Sequence, residues 1–320
     1  MTTEGDDVGG MGPTELVQAA RVARHHYLAG ESKVEIAERL GISRFKVARL
    51  LDAAHEAGLV RIEIAPVDGL DLDLSARVQD GLELSRCAVL AAGPSAAAEI
   101  NAALGRTAAR LLSEILGPED VLGLPWSRSV LAMTAHLQDL PPVRVVQLTG
   151  AMELKGYDAS AVDIVRAAAR ACGGSASIFH APFVVDDPRT AESLRRQTSV
   201  AQGLALADEV THAVVGIGQW GPGLSTQYDV ASLADRAEAS AAGVVGESAG
   251  VYFNSRGDPL TVALSERLIT ISWAQLRAIP QVVAIAFGSA KAQAVRAAVT
   301  GGLVNSLVLD ADLAAALLAD

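Results

Sequence analysis

From residue 82 onward the chain alternates two kinds of segment, and this alternation constrains its fold more than any other feature. Short β-type runs fall at 87–90, 121–124, 143–148, 176–179, 213–217, 268–272, 282–287 and 306–309. Ala-rich runs of helical character stand between or after them, at 96–116, 127–137, 160–171, 190–207, 289–298 and 311–318. Strands that alternate with helices form mostly parallel sheets covered on both faces. The expectation for residues 82–320 is therefore a Rossmann-like α/β domain. In such domains ligands bind beyond the carboxyl ends of the strands.

Residues 14–64 follow a different pattern. Thr14, then Leu16, Val17, Ala20, Ala23 and Tyr27, reads as a capped amphipathic helix ending near Gly30. Ser32 with Glu35 three residues on is a capping-box pair for a second helix. Gly41 stops that helix, Ser43 caps a third, and Gly58 ends it. Residues 59–64, LVRIEI, alternate apolar and polar as a short strand does. Three helices with a tight turn before the third make a helix-turn-helix, and the strand suggests a wing. Residues 1–13, acidic and Gly-rich, read as a disordered leader, and residues 65–81, with Pro66, Asp68, Gly69, Asp71 and Asp73, as a linker.

At 100° per residue the third helix divides into two faces. Val47, Leu50, Leu51 and Ala54 share one face and can close a small core on Ile36 and Leu40. The other face carries Phe45, Ala48, Arg49 and Asp52, flanked by Arg44 and Lys46, and a core helix is not expected to put a phenylalanine opposite its apolar stripe. The whole chain carries a formal charge of −11, which repels phosphates, so a nucleic-acid site must be a local basic patch. The stretch 41–50 holds three cations and no acid. The plain reading is a solvated helix face. The functional reading puts the start of this helix in a major groove, with arginine on guanine edges, Phe45 against a thymine methyl, and Ser43 at a phosphate. Lys33, at the start of the second helix, joins this DNA-facing set.

The stretch VEIAERLGISRFKVARLLDAAHEAGLVRIEI, residues 34–64, resembles the DNA-binding module of the SorC family of bacterial sugar-responsive transcriptional regulators. In the larger region, GLPWSRSV (123–130) sets Gly123 at a strand end and Ser127, Arg128 and Ser129 at a helix start. Backbone amides, hydroxyls and a guanidinium there would cradle a phosphate; an ordinary helix cap with a surface arginine is the bland alternative. GIGQWGPG (216–223) is a second glycine-rich loop after a strand, weak when taken alone. Lys291 falls in the first turn of its helix, where the dipole disfavours a cation unless an anion sits nearby or the side chain is simply exposed.

The resemblance continues through LGLPWSRSV, VVQLTGAM, VGIGQW, VGESAGVYFNSRG and IAFGSAKAQAVRAAVTGGLVNSLVLD. It implies a sugar-binding module similar in fold to glucosamine-6-phosphate deaminase and ribose-5-phosphate isomerase. By motif position it implies effector contacts at Gly123, Ser127, Arg128, Ser129, Gln147, Thr149, Gly150, Glu247 and Lys291. The effector class so implied is a sugar, sugar phosphate or polyol, and the partner is double-stranded operator DNA bound by a homo-oligomer, dimer or tetramer.

Six scattered histidines, with no HExxH, GxSxG or metal-spaced cluster, lead us to expect no catalytic residue, metal or cofactor. An enzyme of the isomerase or deaminase type with an added interaction domain is the alternative. Cys87 and Cys172 lack CxxC spacing and read as free thiols of a reducing compartment. The N-terminus lacks a basic n-region and an apolar h-region, and no apolar run reaches membrane length, so the expected location is cytoplasmic.

Overall fold

The computed structural model describes residues 12–62, 69–93, 96–152 and 159–319. The chain divides into two compact units, Met1–Ala65 and Pro66–Asp320. The expected leader up to residue 11 lies outside the described residues.

The first unit consists of α1 (Pro13–Ala23), α2 (Lys33–Leu40) and α3 (Arg44–Glu56). α1 continues through a wider π-type turn at Arg24–Leu28. The Ser32 hydroxyl accepts from the Glu35 N–H while the Glu35 carboxylate accepts from the Ser32 N–H, so two otherwise orphaned amides are satisfied at the start of α2. Gly41, in the left-handed region at φ 62°, closes α2, and the Ser43 hydroxyl accepts from the Lys46 N–H to open α3. Ala19, Val22, Ile36, Val47, Leu50, Leu51 and Ala54 form one core, with Leu40 packed at its edge. The expected strand at 59–64 differs: residues 59–62 are irregular, and residues 63 and 64 lie outside the described ones. The N–H groups of Leu59 and Val60 both turn back to the Ala54 carbonyl, which ties this segment to the end of α3 and not to a strand partner.

Part of the expected linker is folded. Leu70 bridges to Leu90, Asp71 caps α4 (Leu72–Gly81) by accepting from the Leu74 N–H, and Val78 is fully buried. Of the three aspartates that read as linker composition, Asp71 is a helix cap, Asp73 is an exposed partner of Arg77, and Asp68 lies outside the described residues.

Among the described residues a seven-stranded parallel sheet forms the frame. Its strands are β1 (Arg86–Leu90), β2 (Val121–Leu124), β3 (Arg144–Gln147), β4 (Ser175–Ser177), β5 (His212–Gly216), β10 (Gln281–Ala286) and β11 (Ser306–Asp310). Their order is β1-β11-β10-β5-β2-β3-β4. A small antiparallel sheet holds β6 (Gly218–Gln219), β7 (Gly246–Ser248), β8 (Val251–Phe253) and β9 (Pro259–Leu260). Alternate residues of the parallel strands face opposite cores. Val214, Val283, Ile285 and Val308 join one core with Leu104, Leu112, Met133 and Ile164, from α5 (Ala97–Ile115), α6 (Arg128–Thr134) and α7 (Ala161–Cys172). Val215, Val282, Ala284 and Leu307 face the other core with Val78, Val295, Leu313 and Leu317.

Two expected elements differ in kind. The single helix at 190–207 is two, α8 (Pro188–Arg195) and α9 (Thr198–Ala205). The strand at 268–272 is reduced to isolated bridges, Leu268 to Val184 and Thr270 to Thr149. The remaining helices are α10 (Thr226–Val230), α11 (Leu233–Ala241), α12 (Ala263–Glu266), α13 (Trp273–Ala278), α14 (Ala292–Thr300) and α15 (Ala311–Leu318).

Candidate functional site

The chain winds outward from the middle of the parallel sheet in both directions, β2 to β3 and β4 on one side, β5 to β10 and β11 on the other. The reversal lies between β2 and β5, which pair through only Leu122–His212 and Gly123–Ala213. Beyond their carboxyl ends the loops part and leave a crevice, the position where open parallel sheets bind ligands. A pocket occupies it. Its walls include Trp126, Ser127, Arg128 and Ser129 after β2, Gly216–Gly218 after β5, Ser225 and Gln227 at α10, Glu247 on β7 and Lys291 before α14.

The carboxylate is anchored first. Glu247 is buried, and its two oxygens accept hydrogen bonds from the Ser225 hydroxyl at 2.9 Å and the Gln227 amide at 2.7 Å. Gln227 in turn accepts from the Tyr252 hydroxyl. Burial pushes the Glu247 carboxyl up; the Ser225 hydrogen bond and the charges of Lys291 and Arg128 pull the other way. Gly218 is opposite Glu247 in the β6–β7 register, and a Cβ there would stand 2.3 Å from Glu247 Oε1. No other residue fits that place without moving the carboxylate. Gly216 makes room in the same way for Ser127, whose Oγ would be 2.5 Å from an added Cβ.

Two cations face this crevice. The Lys291 ammonium donates to the Ile217 carbonyl at 3.1 Å and lies 5.5 Å from the centre of the Phe287 ring. Burial, then the Arg128 charge, pushes it down to about 8, with Glu247 and Asp310 acting in opposition. Arg128 is half-buried, and its guanidinium has no hydrogen-bond partner among the described residues. Two mutually repelling cations with free donors, facing a carboxylate already engaged elsewhere, leave the pocket short of negative charge among the described residues. An anionic group placed between them would relieve the repulsion and take up charge-assisted hydrogen bonds.

Of the nine positions singled out in the sequence, Ser127, Arg128, Ser129, Thr149, Glu247 and Lys291 line this pocket. The other three serve the frame. Gly123 is buried in β2, where a Cβ would press on Val210 and Leu148. The fully buried Gln147 donates to the Thr149 carbonyl and accepts from the Phe179 N–H, which holds the β3 exit in shape. Gly150 allows the Pro182 carbonyl to approach, 2.4 Å from where a Cβ would be. The Ser127 hydroxyl accepts from the N–H groups of Ser129 and Val130, so those amides are occupied by the cap and are not free to cradle a phosphate. The Ser129 hydroxyl has no protein hydrogen bond among the described residues. Sequence reasoning missed Ser225, Gln227, Gly216 and Gly218 as site residues. The only signal was the glycine-rich loop at 216–223, whose meaning depends on a carboxylate 29 residues away in the chain.

In the first unit, Lys33, Ser43, Arg44, Phe45, Lys46 and Arg49 are all exposed. Phe45 is 73% exposed, while Val47 on the opposite face is fully buried. The Arg44 guanidinium lies 5.5 Å from the Phe45 ring centre, a cation–π contact that keeps both near the start of α3. Among the described residues, no group of His, Cys, Asp and Glu could hold a metal ion, and no helix is long and apolar enough to cross a membrane.

The family model "Putative sugar-binding domain" matches residues 69–319. The transcriptional regulator LsrR of Klebsiella pneumoniae subsp. pneumoniae is 30% identical over 326 residues, covering 99% of this chain and 97% of that one. LsrR of Escherichia coli (strain K12) is 29% identical over 326 residues, covering 99% of each. The full-length sorbitol operon regulator SorC from Klebsiella pneumoniae superposes with a TM-score of 0.71 at 24% identity, over 95% of this chain and 99% of that one.

Proposed function

The chain belongs to the sugar-binding family of SorC-like transcriptional regulators, and from that premise we propose that it binds operator DNA through α3 under the control of an anionic sugar or polyol, most simply a sugar phosphate, held in the β2–β5 crevice. The observation that carries this reading is the pair of cations, Arg128 and Lys291, facing one pocket whose only carboxylate among the described residues is engaged by Ser225 and Gln227. A phosphate or carboxylate would sit between the cations. Ser129 and Thr149 would meet hydroxyl groups of the carbon chain.

The DNA-facing residues are Lys33, Ser43, Arg44, Phe45, Lys46 and Arg49. The regulator works in the cytoplasm as a dimer or tetramer, so that recognition helices meet half-sites about one helical turn, or a multiple of it, apart. Effector binding shifts the equilibrium between subunit arrangements that do and do not match this spacing.

The test has two arms. Duplexes selected from a random pool should yield one palindromic or near-palindromic site, and its footprint should change when sugar phosphates are added. A thermal-shift screen of free sugars, polyols and their phosphates should favour the phosphates, because ligand binding raises apparent stability by mass action. A uniform response to charged and uncharged ligands would overturn the anion assignment. Absence of any selected sequence would overturn the operator reading. Turnover of the same ligands would point to the enzyme alternative instead.

A further inference from the structure

The crevice does not end at Gln227. Met152, Phe183 and Gln227 line the pocket already described and also form the wall of a second cavity beyond it. The two differ in size and chemistry. The first has a volume of about 70 Å³ and the second about 260 Å³. The first is polar and holds both cations. The inner wall of the second is formed by Met152, Phe183, Ala231, Leu264 and Leu268, all buried and apolar, and its rim by more polar and exposed residues such as Asp186 and Ser232. Two of its charged groups, the half-buried Asp235 and Arg267, bond to each other at 2.6 Å and neutralise one another, and the third, Asp186, stands exposed at the rim.

The shared wall is rigid where it needs to be. Phe183 is held by backbone bonds on both sides, its N–H to the Ala151 carbonyl and its carbonyl to the Ile269 N–H. Gln227 is buried and fixed at both ends of its amide, by Glu247 and Tyr252. Met152, unbranched and adaptable, is the one soft element of the partition.

Resting on the reading of the first pocket as an anion site, we propose that the two cavities form one bipartite effector site: the anionic polyol head lies by Arg128 and Lys291, and an uncharged, largely apolar substituent on the same molecule enters the second cavity past Met152 and Phe183. The ligand class is therefore a sugar phosphate carrying an aryl or alkyl group. A bare hexose phosphate, held by its head at the cations, leaves the second cavity to water, against an apolar inner wall that gains by excluding it.

Calorimetric titration of the full-length protein with glucose 6-phosphate and with phenyl β-glucoside 6-phosphate tests this. The phenyl compound should bind roughly tenfold more tightly, a gain of the size that burying an aromatic ring allows. Ala231→Phe fills the second cavity and should remove the gain while leaving glucose 6-phosphate within about twofold of its original affinity. Val230→Trp, at a 52% exposed position on the rim where folding is not at risk, should do the same. Arg128→Ala should weaken both ligands equally. Equal affinity of the two ligands for the wild type, or a gain that persists in both filled variants, overturns the bipartite site while leaving the head pocket standing. Binding of neither ligand overturns both readings.

Discussion

The protein carries two cationic surfaces, and they differ in how they treat water. On α3, Arg44, Lys46 and Arg49 are exposed, next to the exposed ring of Phe45. In the crevice, Arg128 and Lys291 are half-buried beside a buried carboxylate, and burial and mutual repulsion lower the Lys291 ammonium to about 8. Exposed cations keep their hydration and contribute modestly per contact, in numbers, to a polyanion. Partly desolvated cations are costly without an anion and strongly selective for one. The same residue types therefore suit a long phosphate backbone in one unit and a single small anion in the other.

The sharpest way to break this contrast is to delete the buried pair. Arg128→Ala or Lys291→Ala should weaken a sugar-phosphate effector by about 10- to 100-fold, as loss of a charge-assisted hydrogen bond implies, and leave operator affinity unchanged; titration calorimetry and gel shift read the two. Unaltered effector affinity in both would place the anion elsewhere. On the exposed surface, Arg49→Ala and Arg44→Ala should each cost about 1–3 kcal/mol on the preferred operator and relax base preference at one position. Unchanged footprints for both would remove α3 from the groove.

A pH series separates the two surfaces further. Lys291 has a lowered value near 8, so it is a cation, able to receive the proposed anion, below that pH and progressively neutral above it. Effector affinity should fall as the pH passes 8, while Lys291→Arg should flatten the profile. The sign for the unliganded fold is opposite: because the folded-state value is lowered, this group's contribution to stability grows as pH rises from about 8 toward 10.5. The smallest effect expected is at a cap. Ser43→Ala removes the bond to the Lys46 N–H and should destabilise the first unit by about 1 kcal/mol on thermal unfolding.

How much of this was readable from the chain depends on where each feature is encoded. Strands such as 121–124 and 282–286 are continuous apolar runs, because a parallel strand covered on both faces needs no polar side. The strands β6 to β9 have two or three residues each and carry no periodicity to detect. The helix α4 was hidden because its cap, Asp71, lies in an Asp- and Gly-rich stretch that reads as linker. The capping residues Ser32 and Ser43 were plain, since each acts on an amide three residues away.

The site divides along the same line. Lys291 announced itself by sitting where a helix dipole disfavours it, and Arg128 by its place after a strand. Gly123, Gln147 and Gly150 lie in the same loops and strands, but only packing distinguishes a glycine that admits a ligand from one that admits a neighbouring side chain or carbonyl. Gln227 became a site residue through its bond to Glu247, a contact made across 20 residues by the fold alone.

Gly218 has a consequence for genetics. It bears no functional group, yet any side chain there collides with Glu247, and Gly216 stands in the same relation to Ser127. A selection for cells whose regulator still holds its operator but no longer responds to its effector should return substitutions at these two glycines about as readily as at Arg128 or Lys291. In such a collection about half of the deaf alleles would map to residues that bring no functional group to the signal.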